Sequence, residues 1–569
     1  MPAYAATRLC ESGHCAHTTG HSPLSVRPRV GGGALDKSDD SRYAPPMDSV
    51  PGTGPRKSPW LVSIAVMLSA AMVILDTTVV NVSLPHIAGS LSATVDEATW
   101  VLTSYLAATA VILPIAGWLA NYFGRKRLLM IAVAGFTLSS ALCGMAPSLP
   151  FLIFCRVIQA ITGGGLQPLS QAIMLEEFPV EERGKAMAFW SLGVLTAPIL
   201  GPTLGGWITD TYSWRWVFYI NLPIGIVSLV MISLFLSDPP YIRRPSSRVD
   251  FWGLAMLAIG IGALQIMLDK GQEEDWFNSN FIVVLAVTAA IVLPAFVIWE
   301  LRVPEPIVRF RLLKIPTFAA GIALVTVAGF VLYGSLVLLP LFMQTLLGWT
   351  SLTAGKWTSP RGLGNAMCLP LVGYLLGRGW DGRWMLASGF LVTSFAFFGY
   401  SHMNLQSGTW DILGHQINQG MGMAFMFVPL TTLTMAPIPK AETGYATSLY
   451  SVMRVIGASM GVSFVTTWVA RRSQFHQSVL AAHVTPERLQ VRQYLDQVSR
   501  VFERAGSDRT TATRQAQARL YAAVQKQASL LSFIEVFRMM GLLFLAAIPL
   551  VLLMRRVKVK EKGGAPGSR

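Results

Sequence analysis

The sequence predicts an all-α polytopic membrane protein. Of its 569 residues, 52% are hydrophobic and only 13% are charged, and the mean hydropathy is +0.49, which is too apolar for a soluble protein of this length. The 50 glycines and 33 prolines agree with this class, because both residues are more frequent in membrane-spanning helices than in soluble ones. The third observation is a succession of long apolar segments.

Fourteen segments have the roughly 20 apolar residues that a spanning helix requires. An even number of spans places both ends of the chain on one side of the membrane. The predicted limits are 60–85, 98–120, 128–146, 150–174, 186–209, 215–237, 249–268, 281–300, 317–341, 352–377, 384–401, 411–436, 443–469 and 533–554.

Positive charges are unevenly distributed over the short connections. The connections that follow the odd-numbered spans contain little beyond Arg215 and Lys270. Cytoplasmic loops carry an excess of Lys and Arg, so we expect the other connections and both termini to be cytoplasmic, in a bacterial inner membrane. The net charge of +15 fits loops that face anionic lipid, whereas nucleic-acid binding would require a basic face, which these scattered residues do not form. The cations after the even-numbered spans are Arg125, Lys126, Arg127, Arg183, Lys185, Arg243, Arg244, Arg248, Arg302, Arg309, Arg311, Lys314, Arg378, Arg383 and Lys440.

The two ends of the chain are predicted to be cytoplasmic tails, 1–58 and 555–569. Cys10 and Cys15 lie close to three histidines, a composition that also suits a metal site. The surrounding residues are rich in Ser, Gly and Pro and lack apolar periodicity, so a disordered tail is favoured and no metal or cofactor is predicted. Met47 precedes a short polar lead into the first span and is a candidate translation start.

Asp76 lies inside the first predicted span, where an unpaired charge costs several kcal/mol. Arg156 lies in the fourth span at a similar depth, about 9 Å from the outer helix end against about 13 Å for Asp76. We therefore predict a direct or water-bridged contact between them. A structural ion pair and a proton-coupling site would both leave this sequence.

Two short motifs have unusual glycine patterns. After the second span, Gly117 and Gly124 permit close helix approach and a sharp turn, and the cations beside them anchor the turn at the anionic leaflet. In the fifth span, small residues let helix backbones touch and prolines bend the helix. The first motif comprises Gly117, Asn121, Gly124, Arg125 and Lys126, and the second comprises Gly193, Pro198, Gly201, Pro202, Gly205 and Gly206.

Polar, aromatic and Met side chains within the spans are candidates for the lining of a substrate cavity, since adaptable pockets favour such surfaces. Ordinary helix packing would explain most of them equally well. They are Gln159, Gln167, Tyr333, Gln344, Arg361, Asn365, Gln416, Asn418, Met421, Phe425 and Arg454.

The connection of about 60 residues before the last span, 471–532, is predicted to be external. Apolar residues recur in it at helical spacing, with a turn at Gly506, Ser507 and Asp508 between the two periodic stretches. This pattern predicts an amphipathic helical hairpin. It fits either a mobile loop or a docking surface for a periplasmic partner.

These features together resemble the fourteen-span drug:proton antiporters of the EmrB/QacA type, within the major facilitator superfamily. The resemblance rests on LDTTVVNVSLP at 75–85, the two glycine motifs, the segments 214–226 and 427–434, and the span containing Arg454, and it covers about residues 60–555. The long external connection is more similar to the Gram-negative EmrB branch. Asn121 stands where the family signature usually has Asp, so a charge relay is not carried over to that position.

The resemblance implies two six-helix bundles, 60–237 and 317–554, with two further spans, 249–300, inserted between them. It also implies proton-coupled export of small hydrophobic or amphipathic compounds, without a cofactor, and the possibility of a periplasmic adaptor protein and an outer-membrane channel as partners. Export of an endogenous siderophore, lipid or fatty acid, and a membrane enzyme or sensor, are the alternatives. The chain lacks a phosphate-binding GxxxxGK[ST] loop and an HExxH motif, which argues against ATP-driven transport and metal-dependent hydrolysis.

Overall fold

The computed structural model describes residues 58–179, 181–238, 250–485 and 487–554. These residues form eighteen α-helices and three short 3-10 helices, so the predicted all-α class is confirmed. The first 57 residues, with Cys10, Cys15 and Met47, lie outside the described residues, as do Arg243, Arg244, Arg248 and the tail 555–569.

The helices are, in chain order, α1 (Pro59–Ser90), α2 (Val95–Phe123), α3 (Arg125–Gly144), α4 (Leu149–Gly163), α5 (Leu166–Glu177), α6 (Arg183–Thr211), α7 (Trp216–Tyr219), α8 (Asn221–Phe235), α9 (Phe251–Lys270), α10 (Asn280–Arg302), α11 (Pro316–Thr345), α12 (Ser351–Thr358), α13 (Pro360–Gly377), α14 (Gly382–Tyr400), α15 (Thr409–Met435), α16 (Thr443–Ala481), α17 (Leu489–Arg504) and α18 (Arg509–Val551).

Every predicted span corresponds to one helix or to two consecutive helices. The fourth span is divided into α4 and α5 at Gly164 and Gly165, because adjacent glycines are poor helix formers. The tenth is divided into α12 and α13 before Pro360, which lacks the N–H that a continuous helix would use. The sixth is divided into α7 and α8.

Ten helices in the described part of the chain are long and apolar enough to cross a membrane, and α6 makes eleven if its two segments, bent by 42° between Pro198 and Thr203, are counted as one span. Helices α12 to α15 are not among them. α15, for example, carries Gln416, Asn418 and Gln419, which lower its hydropathy. The structure thus shows a multi-pass helical membrane protein, and fourteen spans stay a prediction.

Helix packing separates the elements into neighbourhoods. α1 packs against α5, α6 and α8, and α3 packs against α4 and α8; later in the chain, α11, α14, α15, α16 and α18 pack on one another and α13 packs on α15. The two neighbourhoods meet where α6 contacts α13 and α15, and where α16 contacts α2 and α5. α9 and α10 pair with each other, and α9 also contacts α2 and α16.

Helices α16 and α18 extend well beyond a bilayer. They contain 39 and 43 residues, so at 1.5 Å per residue they are about 58 and 64 Å long, against about 30 Å of hydrocarbon. α17 packs on α18, and between them Gly506 has φ +99° and Asp508 caps α18 by accepting from Thr510 and Thr511 N–H. α17 and α18 thus form a helical hairpin, while α16 continues to Ala481 and α18 begins at Arg509. The external connection at 471–532 stays a prediction.

Candidate functional site

The Asp76 carboxylate accepts hydrogen bonds from three side chains inside the protein. Its Oδ2 lies 2.5 Å from Arg156 Nη1, the contact predicted from the depth of the two residues. Its Oδ1 accepts from Asn221 Nδ2 at 2.8 Å and from Gln159 Nε2 at 3.2 Å. The Asp76 and Arg156 side chains are both 0% exposed. A charged carboxylate is tolerated here because each oxygen has a donor.

Arg156 has several partners besides Asp76. Its Nη1 donates to Gln159 Oε1 at 2.6 Å and its Nε to the Val101 carbonyl at 3.3 Å, and its Cζ lies 4.0 Å from the centre of the Tyr105 ring. Among the described residues, Nη2 has no hydrogen-bond partner. These contacts hold the guanidinium in place independently of the charge on Asp76.

Asn221 and Tyr105 belong to this cluster and were not among the predicted site residues. Asn221 could have been noticed in the sequence, because it is a single amide within an apolar stretch, at the start of α8. Asn221 Nδ2 also donates to Ser140 Oγ at 3.0 Å, so α3 and α8 both position it. Gln159, predicted to line a substrate cavity, lies in the Asp76 cluster, where it is fully buried.

Three of the four glycines of the α6 motif face α1, the helix that carries Asp76. A Cβ at Gly201 would lie 2.6 Å from Thr78 Cβ, and a Cβ at Gly205 would lie 2.9 Å from the Val79 carbonyl oxygen. A Cβ at Gly193 would lie 2.5 Å from Met67 Cγ. All three positions therefore need glycine for helix contact, whereas a Cβ at Gly206 would meet nothing within 4 Å. Pro198 and Pro202 lie at the 42° bend of α6.

The loop motif joins α2 and α3 and touches α16. A Cβ at Gly117 would lie 2.6 Å from the carbonyl carbon of Gly444, so the α2 and α16 backbones meet there. Gly124 has φ +89°, the left-handed region that favours glycine. Lys126 donates from its backbone N to Asp238 Oδ1 and from Nζ to the Ser233 carbonyl, both at 2.7 Å. These contacts fix the motif against the end of α8.

Arg125 was expected to anchor the turn at the lipid surface, and the structure corrects this. Its side chain is buried and forms a two-point ion pair with Glu176, with Nη2 to Oε1 at 2.9 Å and Nε to Oε2 at 3.2 Å. A bidentate pair offsets the cost of burying a guanidinium. Asn121 is also buried. Glu176, on α5, was not predicted from the sequence.

Two predicted cavity residues have unsatisfied polar atoms in the second half of the chain. Gln416 on α15 is buried, and neither its amide nitrogen nor its oxygen has a partner among the described residues. The same holds for the Asn365 side-chain oxygen on α13. Buried amides are normally hydrogen-bonded, so these atoms are available to a ligand or to water. Arg361 lies on the same helix as Asn365.

The other predicted cavity residues have different surroundings. Arg454 Nη2 donates to Gln167 Oε1 at 2.7 Å, which joins α16 to α5. Asn418 donates weakly to the Val392 carbonyl, at 3.4 Å. The remaining side chains are exposed or half-buried on α11 and α15: Tyr333, Gln344, Met421 and Phe425.

A second group of charged residues lies at the end of α9 and was not predicted. Asp269 accepts from Thr103 of α2, and Lys270 Nζ lies 2.5 Å from Thr99 Oγ1 and from Glu273 Oε2. On the other side, Gln265 and Ser459 of α16 exchange two hydrogen bonds at 2.8 and 3.1 Å. α9 is thereby bonded to both α2 and α16.

Comparison with known proteins gives consistent results. The model of the Major Facilitator Superfamily matches residues 66–462. The multidrug export protein EmrB of Haemophilus influenzae is 40% identical over 430 residues, 75% of this chain and 83% of that protein. The fatty acid resistance protein FarB of Neisseria gonorrhoeae is 40% identical over 428 residues, with the same coverage. EmrB of Escherichia coli K12 is 37% identical over 431 residues.

Solved structures agree on the fold. The human organic anion transporter MFSD10 matches with a TM-score of 0.54 at 14% identity, covering 86% of this chain and 99% of that one. A double Trp mutant of XylE matches with a TM-score of 0.57 at 14% identity, covering 88% and 97%. The chain therefore has the fold of these transporters.

Proposed function

The chain belongs to the Major Facilitator Superfamily, and from that premise we propose that it exports hydrophobic or amphipathic toxic compounds in exchange for protons. Like its multidrug export relatives, which are up to 40% identical to it, the chain is a transporter and not an enzyme. The Asp76 cluster is the observation that carries the proposal. A buried carboxylate whose hydrogen-bond donors lie on other helices is suited to binding and releasing a proton as those helices move.

The proposed proton step follows from the geometry of the Asp76 cluster. In the observed arrangement, Arg156, Asn221 and Gln159 all donate to Asp76, which stabilises the ionised carboxylate. A proton can replace these donors only when the helices that carry them, α4 and α8, shift relative to α1. Arg156 would then keep its bonds to Gln159 and to the Val101 carbonyl. In our proposal Asp76 takes its proton from outside and releases it inward.

Replacement of Asp76 by Asn tests this step. The amide is nearly the same size but cannot carry the proton, so we expect proton-driven efflux to be abolished in membrane vesicles while the protein still folds and binds substrate. Unimpaired efflux would contradict a proton role. A purely structural pair predicts a different result, a large loss of stability of about 3–5 kcal/mol because Arg156 loses its buried partner, which a thermal unfolding measurement would detect.

We propose fourteen spans in a bacterial inner membrane, with both termini cytoplasmic. Support comes from the charge bias of the short loops and from the packing neighbourhoods, which suit six-helix bundles at 60–237 and 317–554 with 249–300 inserted between them. Labelling of single cysteines in intact cells would test this. Cysteines in the connections after odd-numbered spans should react with a membrane-impermeant reagent, and those in the opposite connections should not.

We propose a substrate cavity between the halves, near Gln416, Asn365 and Arg361. Its support is the pair of unsatisfied buried amides and the superfamily arrangement, in which substrate sites lie near the bilayer midplane between the repeats. The Arg454 to Gln167 hydrogen bond crosses between helices of the two halves and would form one wall.

Fatty acids are a second candidate substrate class, because a relative named for fatty acid resistance is as similar to this chain as the multidrug export relative is. Growth assays would separate the two classes. A deletion strain and a complemented strain should differ in sensitivity to cationic drugs, to long-chain fatty acids, or to both.

A periplasmic adaptor protein, and through it an outer-membrane channel, are the partners that we propose. The support is the hairpin of α17 and α18 together with the end of α16 beside it. These segments expose large apolar side chains: Phe475, Val479 and Tyr521 are 50%, 42% and 58% exposed. A photo-reactive residue at Tyr521 should crosslink to the adaptor in native membranes, and removal of that adaptor should abolish drug resistance. Full resistance without the crosslinked protein would contradict its role.

A further inference from the structure

A second cavity, of about 360 Å³, lies between α9, the connection that follows it, α11 and α16. None of its lining residues belongs to the Asp76 cluster or to the proposed substrate cavity. Its volume is at the lower end of the range for small-molecule sites. We refer to it as the α9–α16 cavity.

The lining of the α9–α16 cavity changes from apolar to charged along α16. Met460, Phe464, Trp468 and Arg471 recur at helical spacing on one side of this helix, over a distance of about 17 Å. Phe464 stacks on Trp468, with ring centres 5.0 Å apart, and lies 5.5 Å from the ring of Phe330 on α11. The cavity thus has an aromatic interior and a cationic mouth.

Of the polar groups that line the cavity, one is already hydrogen-bonded within the protein and another is not. Trp276 Nε1 donates to Thr467 Oγ1 at 2.9 Å, which leaves the indole ring as an apolar wall. Ser463 lines the cavity and is buried, and its hydroxyl has no hydrogen-bond partner among the described residues.

The two arginines at the mouth are not equivalent. Arg472 is paired with Glu535 through two contacts, at 2.6 and 2.7 Å, and His476 also contacts that carboxylate at 2.9 Å. Arg471 is exposed, and in the described part of the chain it has no ion-pair partner. The mouth therefore presents one uncompensated guanidinium, a group that binds carboxylates through two parallel hydrogen bonds.

We propose that the α9–α16 cavity binds a single-chain acyl carboxylate, with the chain against Phe330, Phe464 and Trp468 and the carboxylate on Arg471. The small volume favours one acyl chain over the two of a phospholipid. The charge at the mouth favours an anion over the cationic amphipaths that many exporters carry. This inference goes beyond the proposed function, because binding here requires no transport and no proton.

Photo-crosslinking tests the proposal. The full chain in phosphatidylcholine nanodiscs would be irradiated with a dodecanoate that carries a diazirine at its chain end, and the modified residues mapped by mass spectrometry. We expect labelling of 460–468 and of Phe330, competed by unlabelled dodecanoate. Arg471→Gln should weaken the competition about tenfold, the factor that corresponds to ~1.4 kcal/mol. Asp76→Asn should leave it unchanged, which separates this site from the proton step.

Arg500→Gln is the matched control, because Arg500 is an exposed arginine on α17 that is not part of the cavity, and its loss should have no effect. Three results would overturn the proposal: no competed labelling at 460–468 or Phe330, equal competition by dodecyltrimethylammonium, or equal labelling by a diazirine phosphatidylglycerol. The last would identify the cavity as a phospholipid site.

Discussion

Of the residues that surround Asp76, Arg156 could be predicted from the sequence, whereas Asn221 and Tyr105 could not. Depth within a span follows from counting residues, so the approach of Asp76 to Arg156 could be predicted. Direction around the helix axis could not be predicted, because nothing in an apolar helix marks which side faces which neighbour. For this reason Asn221 and Tyr105 were missed, and the contacts of Gln159 with Arg156 and Asp76 could not be predicted.

Asn221→Leu removes one donor to Asp76 and keeps the number and branching of the side-chain heavy atoms. The carboxylate then keeps only Arg156 and Gln159 as donors, so we expect proton-driven efflux to fall while the protein still binds drug. Efflux in vesicles at matched expression would measure this. Ser140→Ala is the control, because it removes the other partner of Asn221 and leaves all three donors to Asp76; an equal fall in this variant would contradict the interpretation.

At the scale of single helices, the glycine and proline pattern of α6 predicted close packing and a bend, and both are present. The sequence did not distinguish the glycines from one another. The structure does, because Gly201 and Gly205 face the backbone and side chains of α1, whereas Gly206 faces open space. The distinction depends on which helix lies beside α6, and that information is not local to the motif.

Gly201→Val and Gly206→Val form a matched pair, since each adds the same β-branched side chain to the same helix. At Gly201 the new atoms would overlap Thr78 and force α6 away from the helix that carries Asp76. Overpacking of this kind costs about 1–3 kcal/mol, so we expect efflux to be reduced or lost. At Gly206 we expect little change. Efflux assays at matched expression would show whether the two positions differ; equal activity would refute the packing explanation.

The hairpin turn gives a pH prediction for a single element. The hydrogen bonds from Thr510 and Thr511 lower the pKa of Asp508 from 3.8 to about 2. Because the folded pKa is below the unfolded value, the stabilisation is present above about pH 3.8 and is lost as the pH falls toward 2. Hydrogen exchange at the start of α18, measured relative to the intrinsic exchange rate of the unstructured chain at each pH, should therefore increase across this window. Asp508→Asn keeps a capping oxygen without the charge, and the increase should be absent from that variant.

At the scale of the whole molecule, hydropathy predicts a multi-pass helical protein but not how its helices are arranged. Ten or eleven spans in the described residues pass on length and hydropathy, and the count of fourteen stays a prediction. The contact between Gly117 and Gly444, and the bonds from α9 to both α2 and α16, join residues that are more than 160 positions apart in the chain. Such contacts depend on the packing of all helices at once.

Gly117→Val would overlap the Gly444 backbone and separate α2 from α16 at that end. We expect efflux to be lost and the interface to become accessible. A cysteine at Ser448, which is 1% exposed on α16, should react faster with a thiol reagent in this variant, in a background without the native cysteines. Gly414→Val, at a position where a Cβ meets nothing within 4 Å, is the control. Unchanged labelling in Gly117→Val would show that this contact does not close the interface.

Helices α16 and α18 are continuous from their packing sites in the bundle to the projecting hairpin. A straight helix of about 60 Å acts as a rigid lever, so a tilt of only 10° within the bundle displaces its far end by roughly 10 Å. The hairpin would then move visibly each time the bundle changes state. A protein docked on it would receive a mechanical signal of the conformation inside the membrane, with no ligand or charge passing between them.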